Sequence, residues 1–468
     1  MRSQRRLLSV SIAWLLVLVA AIEFLFRVFI AIPVESLSDI AAPYVSTRLW
    51  LQGSNPYNPH LFLPAWFASG AAFLDIPDQV SGAHSVYPPT IFPMFAPFAP
   101  LHWMTIVHLF LVVGVLLYAI TVYGLVRVGW PGASWSDFAG NPRAVLFLAF
   151  AVGFAPFHTA LRSRNIVLIA ACLTILSVIV LLRRQSGTPP AAGWFAAIAT
   201  AASICMKPTT GVFVMPWLLR ERRWGVIAGA VVLCLLLAAG GILPMVHASQ
   251  MTWLASYRSN VAVLFTGGGN ASVYPENTFR TDRIDLQLAL FALTGNKTFS
   301  SILPPLIYAG CMLAIFRIAG FGRERVNVAA SPLTARSYDL SLLVAAASLA
   351  LGLVPAYARE YSAVVLLPLV LWCFRNFHLK SARGLLLLLC DFLVNTGALM
   401  RQIPRLASIA AHNQNLWDGT IGGHECWILV AIGGLLVWAV HERCYEDRAQ
   451  ASTPSYGQSD DAARPVPA

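Results

Sequence analysis

"MRSQRRLLSVSIAWLLVLVAAIEFLFRVFIAIPVE", residues 1–35, decides where the chain lives. Three arginines within the first six residues precede an apolar run, 7–32, which resembles the start of a secretory signal. The run is longer than the roughly 7–15 apolar residues of a signal core, and it lacks a convincing small-x-small cleavage site. It reads as an uncleaved first membrane span, since crossing the hydrocarbon core takes about 20 apolar residues.

The rest of the chain agrees. Of 468 residues, 57% are hydrophobic and only 11% charged, a balance foreign to a soluble globular protein. The formal net charge of +11 does not indicate a nucleic-acid partner. The bases lie in short clusters between apolar runs, as the positive-inside rule requires of cytoplasmic gaps, and not in an aromatic-laced stripe. Membrane lipid is the expected surrounding partner. The eight cysteines form no C-x-x-C pair, and the histidines show no metal-ligand spacing. Neither a disulfide framework nor a metal site nor a cofactor is expected.

Working outward from the first span, apolar runs fall at 7–32, 101–126, 144–161, 165–182, 191–206, 208–219, 225–246, 302–319, 338–357, 361–377, 384–402 and 425–441. The fold class is therefore an all-α polytopic membrane protein with about 10–12 transmembrane helices joined by extracytoplasmic loops. "LLRRQ" (181–185) and "LLRERRW" (218–224) both read as cytoplasmic, so the residues between them go in and come back. Pro208 supplies the break, because proline lacks the helical N–H and suits the first position of a new helix. Both termini are expected in the cytoplasm of a multi-pass cell membrane, with 33–100, 247–301 and 403–424 outside. Residues 1–446 form the membrane domain, and 447–468, small and polar, read as a disordered tail.

Four stretches carry possible chemistry. "SDIAAPYVSTRLWLQGSNPYNP" (38–59) spaces Ile40, Pro43, Tyr44, Thr47 and Leu51 as a helix would, predicting a surface helix over 38–52 with Ser38 as its cap and Asp39 in its first turn. Asp39 there is either a charge favouring the helix start or a group held for chemistry. "HSVYPPTIFPMFAPFAPLHW" (84–103) has five prolines, which forbid a regular helix and point to a cavity-lining segment. Arg162 and Arg164 in "LRSRN", Lys207 in "CMKPTTG" and Arg359 in "PAYAREYS" stand at outward ends of spans. Each either snorkels to headgroups or holds an anion. Lys207, directly before Pro208, is best placed for a phosphate. Lastly, "TGGGNASVYPENTFRTDRID" (266–285) is too long for a simple connector, which argues for ligand binding. Glu23 and Arg27, four apart in the first span, read as a mutually neutralising pair facing other helices.

In order, these stretches resemble glycosyltransferase family 87, which is similar to polyprenyl-phosphate-mannose-dependent mannosyltransferases of the GT-C fold. Asp39, Tyr44, Gly53, Pro56 and Tyr57 fit the family's D-x4-Y-x8-G-x2-P-Y, and Tyr87-Pro88-Pro89 its YPP segment. Asn165 stands where the asparagine of a G-Q-x-N-like motif begins a span. Lys207-Pro208 resembles the family's K-P segment, Asn270-Ala271-Ser272 its N-x-S loop, and "PAYAREYSAVVLLPL" its late outer turn. Two positions depart: Ser163-Arg164 replace a common Gly-Gln, and Glu360 stands where histidine or serine is common.

The resemblance implies a GT-C-like bundle and an enzyme, a hexosyltransferase. It would move a sugar, mannose foremost, from a polyprenyl-phosphate donor to a hydroxyl of a glycolipid or glycan acceptor on the outer face, with inversion. Asp39 would be the general base; Lys207, Arg162, Arg164 and Arg359 would hold the donor phosphate. Tyr44, Tyr57, Tyr87, Asn165, Asn270 and Glu360 would line the substrate groove. No metal, cofactor or nucleic acid is implied. The rival readings are a flippase or transporter of lipid-linked sugar, and a non-catalytic subunit of a polysaccharide assembly complex. Neither would need Asp39.

Overall fold

The computed structural model describes residues 2–30, 39–71, 85–183, 191–248, 251–267, 269, 271–277, 280, 283–320, 335–355, 357–375, 381–395, 413–420 and 423–451. Among these the chain is helical, with one isolated antiparallel bridge, Arg283 to Arg359, and no strand. It is an all-α polytopic membrane protein. Seven helices are long and apolar enough to cross a bilayer: Leu7–Ile30, Trp103–Gly129, Pro142–Arg162, Ile166–Arg183, Trp224–His247, Lys297–Ala319 and Asn415–Tyr445. The described residues of the remaining apolar runs are largely helical, in shorter pieces. Ala191–Met206 has 16 residues, about 24 Å of rise, against a hydrocarbon core of about 30 Å. The 208–219 run splits at Pro208 and Pro216 into short α and 3₁₀ pieces, and Glu360–Leu366 is a 3₁₀ turn leading into Leu367–Arg375. The last helix, His424–Ala451, runs five residues into the segment expected as a tail, the remainder of which lies outside the described residues.

Ile166–Arg183 forms the centre, with 78% of its most apolar window buried, whereas the first span buries only 11%. It packs between Ala191–Met206 and Trp103–Gly129. Lipid is as apolar as leucine, so these contacts rest on close packing and on polar groups that lipid cannot satisfy. Gly124 lets Trp103–Gly129 approach: a Cβ there would stand 3.0 Å from Ile179. Thr174 and Ser203 bridge the central pair of helices hydroxyl to hydroxyl at 2.6 Å, and Ser203 donates to the Ala170 carbonyl at 2.8 Å. The Glu23–Arg27 pair does form, at 2.7 Å, but both side chains are about half exposed, so it looks away from the bundle.

A second core, aromatic, gathers over one end of the bundle. Tyr44, Tyr57, Phe62, Phe92, Phe95 and Trp103 are buried together where Ala41–Leu51, Pro59–Ala68 and the proline-rich segment meet. That segment is irregular as expected, with one short helix, Ile91–Phe95, and a 3₁₀ turn, Ala96–Phe98. It is seated on Trp224–His247 at Gly241, where any Cβ would come within 2.1 Å of the Pro89 carbonyl oxygen. Trp50 donates its indole N–H to the Gly241 carbonyl, 2.9 Å, and locks the same junction.

Candidate active site

Consecutive spans run back and forth, so the start of Ile166–Arg183 and the end of Ala191–Met206 share one end of the bundle. Asn165 precedes the first and Lys207 follows the second. The aromatic core covers that end, bringing Asp39 and Tyr87 there, and the turn after Ala335–Leu351 adds Tyr357 and Arg359. Positions scattered over some 320 residues of sequence thus converge.

Asp39 is not in the first turn of its helix. The helix is Ala41–Leu51; Ile40 occupies the N-cap position and no side chain caps it, while Ser38 lies outside the described residues. The backbone explains the shift. The Asp39 N–H donates to the Ser163 carbonyl at 3.0 Å, a bond to the neighbouring turn that holds the residue outside the helix. Its carboxylate is therefore not spent on capping. Asn165 donates its side-chain N–H to Asp39 Oδ2. The amide has no other orientation open, because Asn165 Oδ1 already accepts the Val167 N–H at 2.9 Å and so caps its own helix. Tyr87 points its hydroxyl at the Asp39 carbonyl oxygen, 3.5 Å away.

Between Ser163 and Asn165 stands Arg164, buried, at φ +45°, a left-handed conformation costing a non-glycine residue about 1–2 kcal/mol. Its Nη1 donates to the Arg162 carbonyl at 2.6 Å, closing the turn on itself. The strained turn offers Asp39 a carbonyl for its N–H and, one residue on, an amide for its carboxylate.

The Asp39 side chain is exposed and stands at the edge of densely packed protein. That crowding raises its carboxyl above the usual range; Arg359, Lys207 and the Asn165 hydrogen bond, in that order, pull it back. No direct ion pair joins Asp39 to either cation among the described residues, so they act on it through space. Lys207, half-buried at the start of the Pro208 turn, titrates below an ordinary lysine. Burial is the chief cause, Asp39 opposes it and Arg359 adds to it. Burial and the nearby Asp39 charge raise the Tyr87 phenol, which stays protonated.

Arg283 was not legible as a site residue. It is fully buried and clamps Asp285 with two bonds, Nε at 2.9 Å and Nη2 at 2.7 Å, while donating to the Ala271 carbonyl at 2.5 Å and to Gln287 at 2.9 Å. Asp285 precedes the Leu286–Thr294 helix but does not cap it, its oxygens being taken by Arg283 and the Ala358 N–H. With Ile284 N–H donating to the Ala358 carbonyl at 3.0 Å, this staples the end of the 266–285 loop to the turn that carries Tyr357 and Arg359. The available signal was R-x-D directly before an apolar helix.

Of the sequence-derived candidates, Asp39, Asn165, Tyr87, Lys207 and Arg359 come together. Arg162 is exposed, and neither it nor Arg164 is among the cations acting on Asp39. Tyr44 and Tyr57 are completely buried, donating to the carbonyls of Leu101 and Tyr87 at 2.8 Å each; they support the site from beneath. Glu360, half-buried, opens the 3₁₀ turn after Arg359. Asn270 lies outside the described residues, while the adjacent Ala271 and Ser272 are buried against the Arg283 staple.

The family model for glycosyltransferase family 87 matches residues 86–345, more than half of the chain. The matched segment contains Tyr87, Asn165, Lys207 and Arg283; Asp39 precedes it, and Tyr357 and Arg359 follow it. No curated protein and no solved structure matches the chain.

Proposed function

The chain belongs to glycosyltransferase family 87, and from that membership we propose that it transfers a sugar, mannose foremost, from a polyprenyl-phosphate donor to a hydroxyl of a glycolipid or glycan, with inversion. The observation that carries the reading is the Asp39 carboxylate: withheld from helix capping, pinned by Asn165, exposed, and acted on by the charges of Arg359 and Lys207. Asp39 takes the proton of the acceptor hydroxyl as that oxygen bonds to the anomeric carbon. The bond from that carbon to the phosphate oxygen breaks, and its electron pair leaves on the phosphate, facing Lys207 and Arg359. One displacement from the opposite face inverts the centre. Asp39, Lys207 and Arg359 together carry one net positive charge, suited to the single charge of a phosphate diester. Tyr87 and Asn165 hold the base rather than the sugar.

The positive-inside pattern supports an orientation with this end of the bundle outside a cell membrane and both termini in the cytoplasm. The test uses the purified full-length chain with a radiolabelled polyprenyl-phosphate sugar and a membrane glycolipid extract. Transfer that the parent performs and Asp39→Asn loses supports the reading. Movement of intact donor across vesicles without transfer would assign a flippase instead.

A further inference from the structure

Three cations surround one aromatic ring beside the base. Arg283 lies 5.2 Å from the centroid of Tyr357, Arg359 5.7 Å and Lys207 5.8 Å, and Arg359 Nε donates to the Tyr357 hydroxyl at 2.7 Å. The three differ in freedom. Arg283 is immobilised by Asp285, Ala271 and Gln287, so it is a fixed seat for the ring. Lys207 and Arg359 are the two whose charges act on Asp39. Arg359 works against a charged Lys207 and Asp39 works for it, and a flexible lysine beside an arginine gains from any further attraction. The negative face of an aromatic ring supplies that attraction without competing for the anion, as a carboxylate would.

We propose that Tyr357 is a positioning residue of the donor site: its ring, seated on Arg283, keeps Lys207 and Arg359 side by side before any anion arrives, and its oxygen sets the plane of the Arg359 guanidinium. The anion class is a prenyl-linked phosphate, so the inference rests on the proposed donor. The ring acts through the cations, and its loss weakens phosphate binding while leaving the chemistry at Asp39 in place.

The test measures farnesyl phosphate binding to the full-length protein in detergent for the parent, Tyr357→Phe and Tyr357→Leu, with donor KM and kcat alongside. Tyr357→Leu should weaken farnesyl phosphate binding about 3- to 30-fold, the range expected for one desolvated cation–ring contact or two weaker ones. Donor KM should rise to match while kcat stays within about twofold. Tyr357→Phe, which keeps the ring, should lie nearer the parent and stands in should the leucine variant fail to fold. A second readout is independent of the donor: the pH at which Lys207 becomes reactive to an amine reagent, read by mass spectrometry, should fall when the ring is lost. If the parent binds no farnesyl phosphate yet Lys207 still shifts, the donor reading fails and the ring's hold on the cations stands. Parent-like binding and an unmoved Lys207 in Tyr357→Leu overturn the proposal.

Discussion

Arg283 with Asp285, and Lys207 with Asp39, flank the same tyrosine and are built on opposite terms. In the first pair two direct hydrogen bonds join guanidinium and carboxylate, neither side chain meets solvent, and the Ala271 carbonyl and the Gln287 side chain take further guanidinium N–H groups. In the second, a carboxylate with an open surface stands near a half-buried lysine with no direct bridge between them. A charge satisfied on all sides can only hold structure. One held in place but left open has interaction energy still to give to a ligand or a proton. The difference separates scaffold from chemistry without reference to sequence motifs.

The comparison is broken most directly at Asp39. Asp39→Asn keeps the shape and cannot accept a proton, so transfer should fall about 10²- to 10⁴-fold while the protein stays folded and binds donor. In the parent, the acid side of the kcat/KM profile should break at a pH above that of an ordinary aspartate, because crowding raises the Asp39 carboxyl and only its ionised form is a base. Donor affinity should weaken on the alkaline side as Lys207, shifted downward, loses its charge. A profile without the acid limb, or one unchanged in Asp39→Asn, would move the base elsewhere.

Arg283→Met should do the reverse and strike the fold. Removing one partner of a buried pair costs about 3–5 kcal/mol, read as a lowered unfolding midpoint in detergent, and replacing both partners with apolar residues should recover part of it. Lys207→Ala comes next: losing one charge-assisted contact to phosphate costs about 1.5–3 kcal/mol, so donor KM should rise by about tenfold or more with little change in stability. The smallest effect sharpens the boundary of the site. Arg162→Ala removes an exposed side chain and leaves the carbonyl that Arg164 uses, so donor KM should stay within about threefold of the parent and stability within about 0.5 kcal/mol.

Much of this was legible along the chain. Among the described residues each apolar run is largely helical, and the break between Met206 and Pro208 follows from the missing proline N–H. Lys207 and Asn165 stood out because they sit at helix ends, where local rules apply. What escaped is decided by partners far away in sequence. Asp39 reads as a first-turn acid until the Ser163 carbonyl takes its N–H. Arg283 reads as one polar residue of a loop until Asp285, Ala271 and the bridge to Arg359 close around it. Arg164 gives no sign of its left-handed backbone, a conformation that sequence associates with glycine or asparagine. Among the described residues 208–219 and 361–375 are broken by prolines and 3₁₀ turns into short helical pieces, which their apolar composition does not announce.

The unequal burial of the first and central spans bears on how the protein is made. Leu7–Ile30 buries few of its residues and leans on one neighbour, Pro142–Val152, so it is expected to enter lipid as soon as it is synthesised, tethering the nascent chain by itself. Ile166–Arg183 cannot wait alone so easily. Thr174 meets the hydroxyl of Ser203, and Ser203 reaches back to the Ala170 carbonyl, so two helices satisfy between them what hydrocarbon would leave bare. Two helices joined in this way are expected to enter the bilayer as a hairpin, with Asn165 and Lys207 as neighbours at its open end.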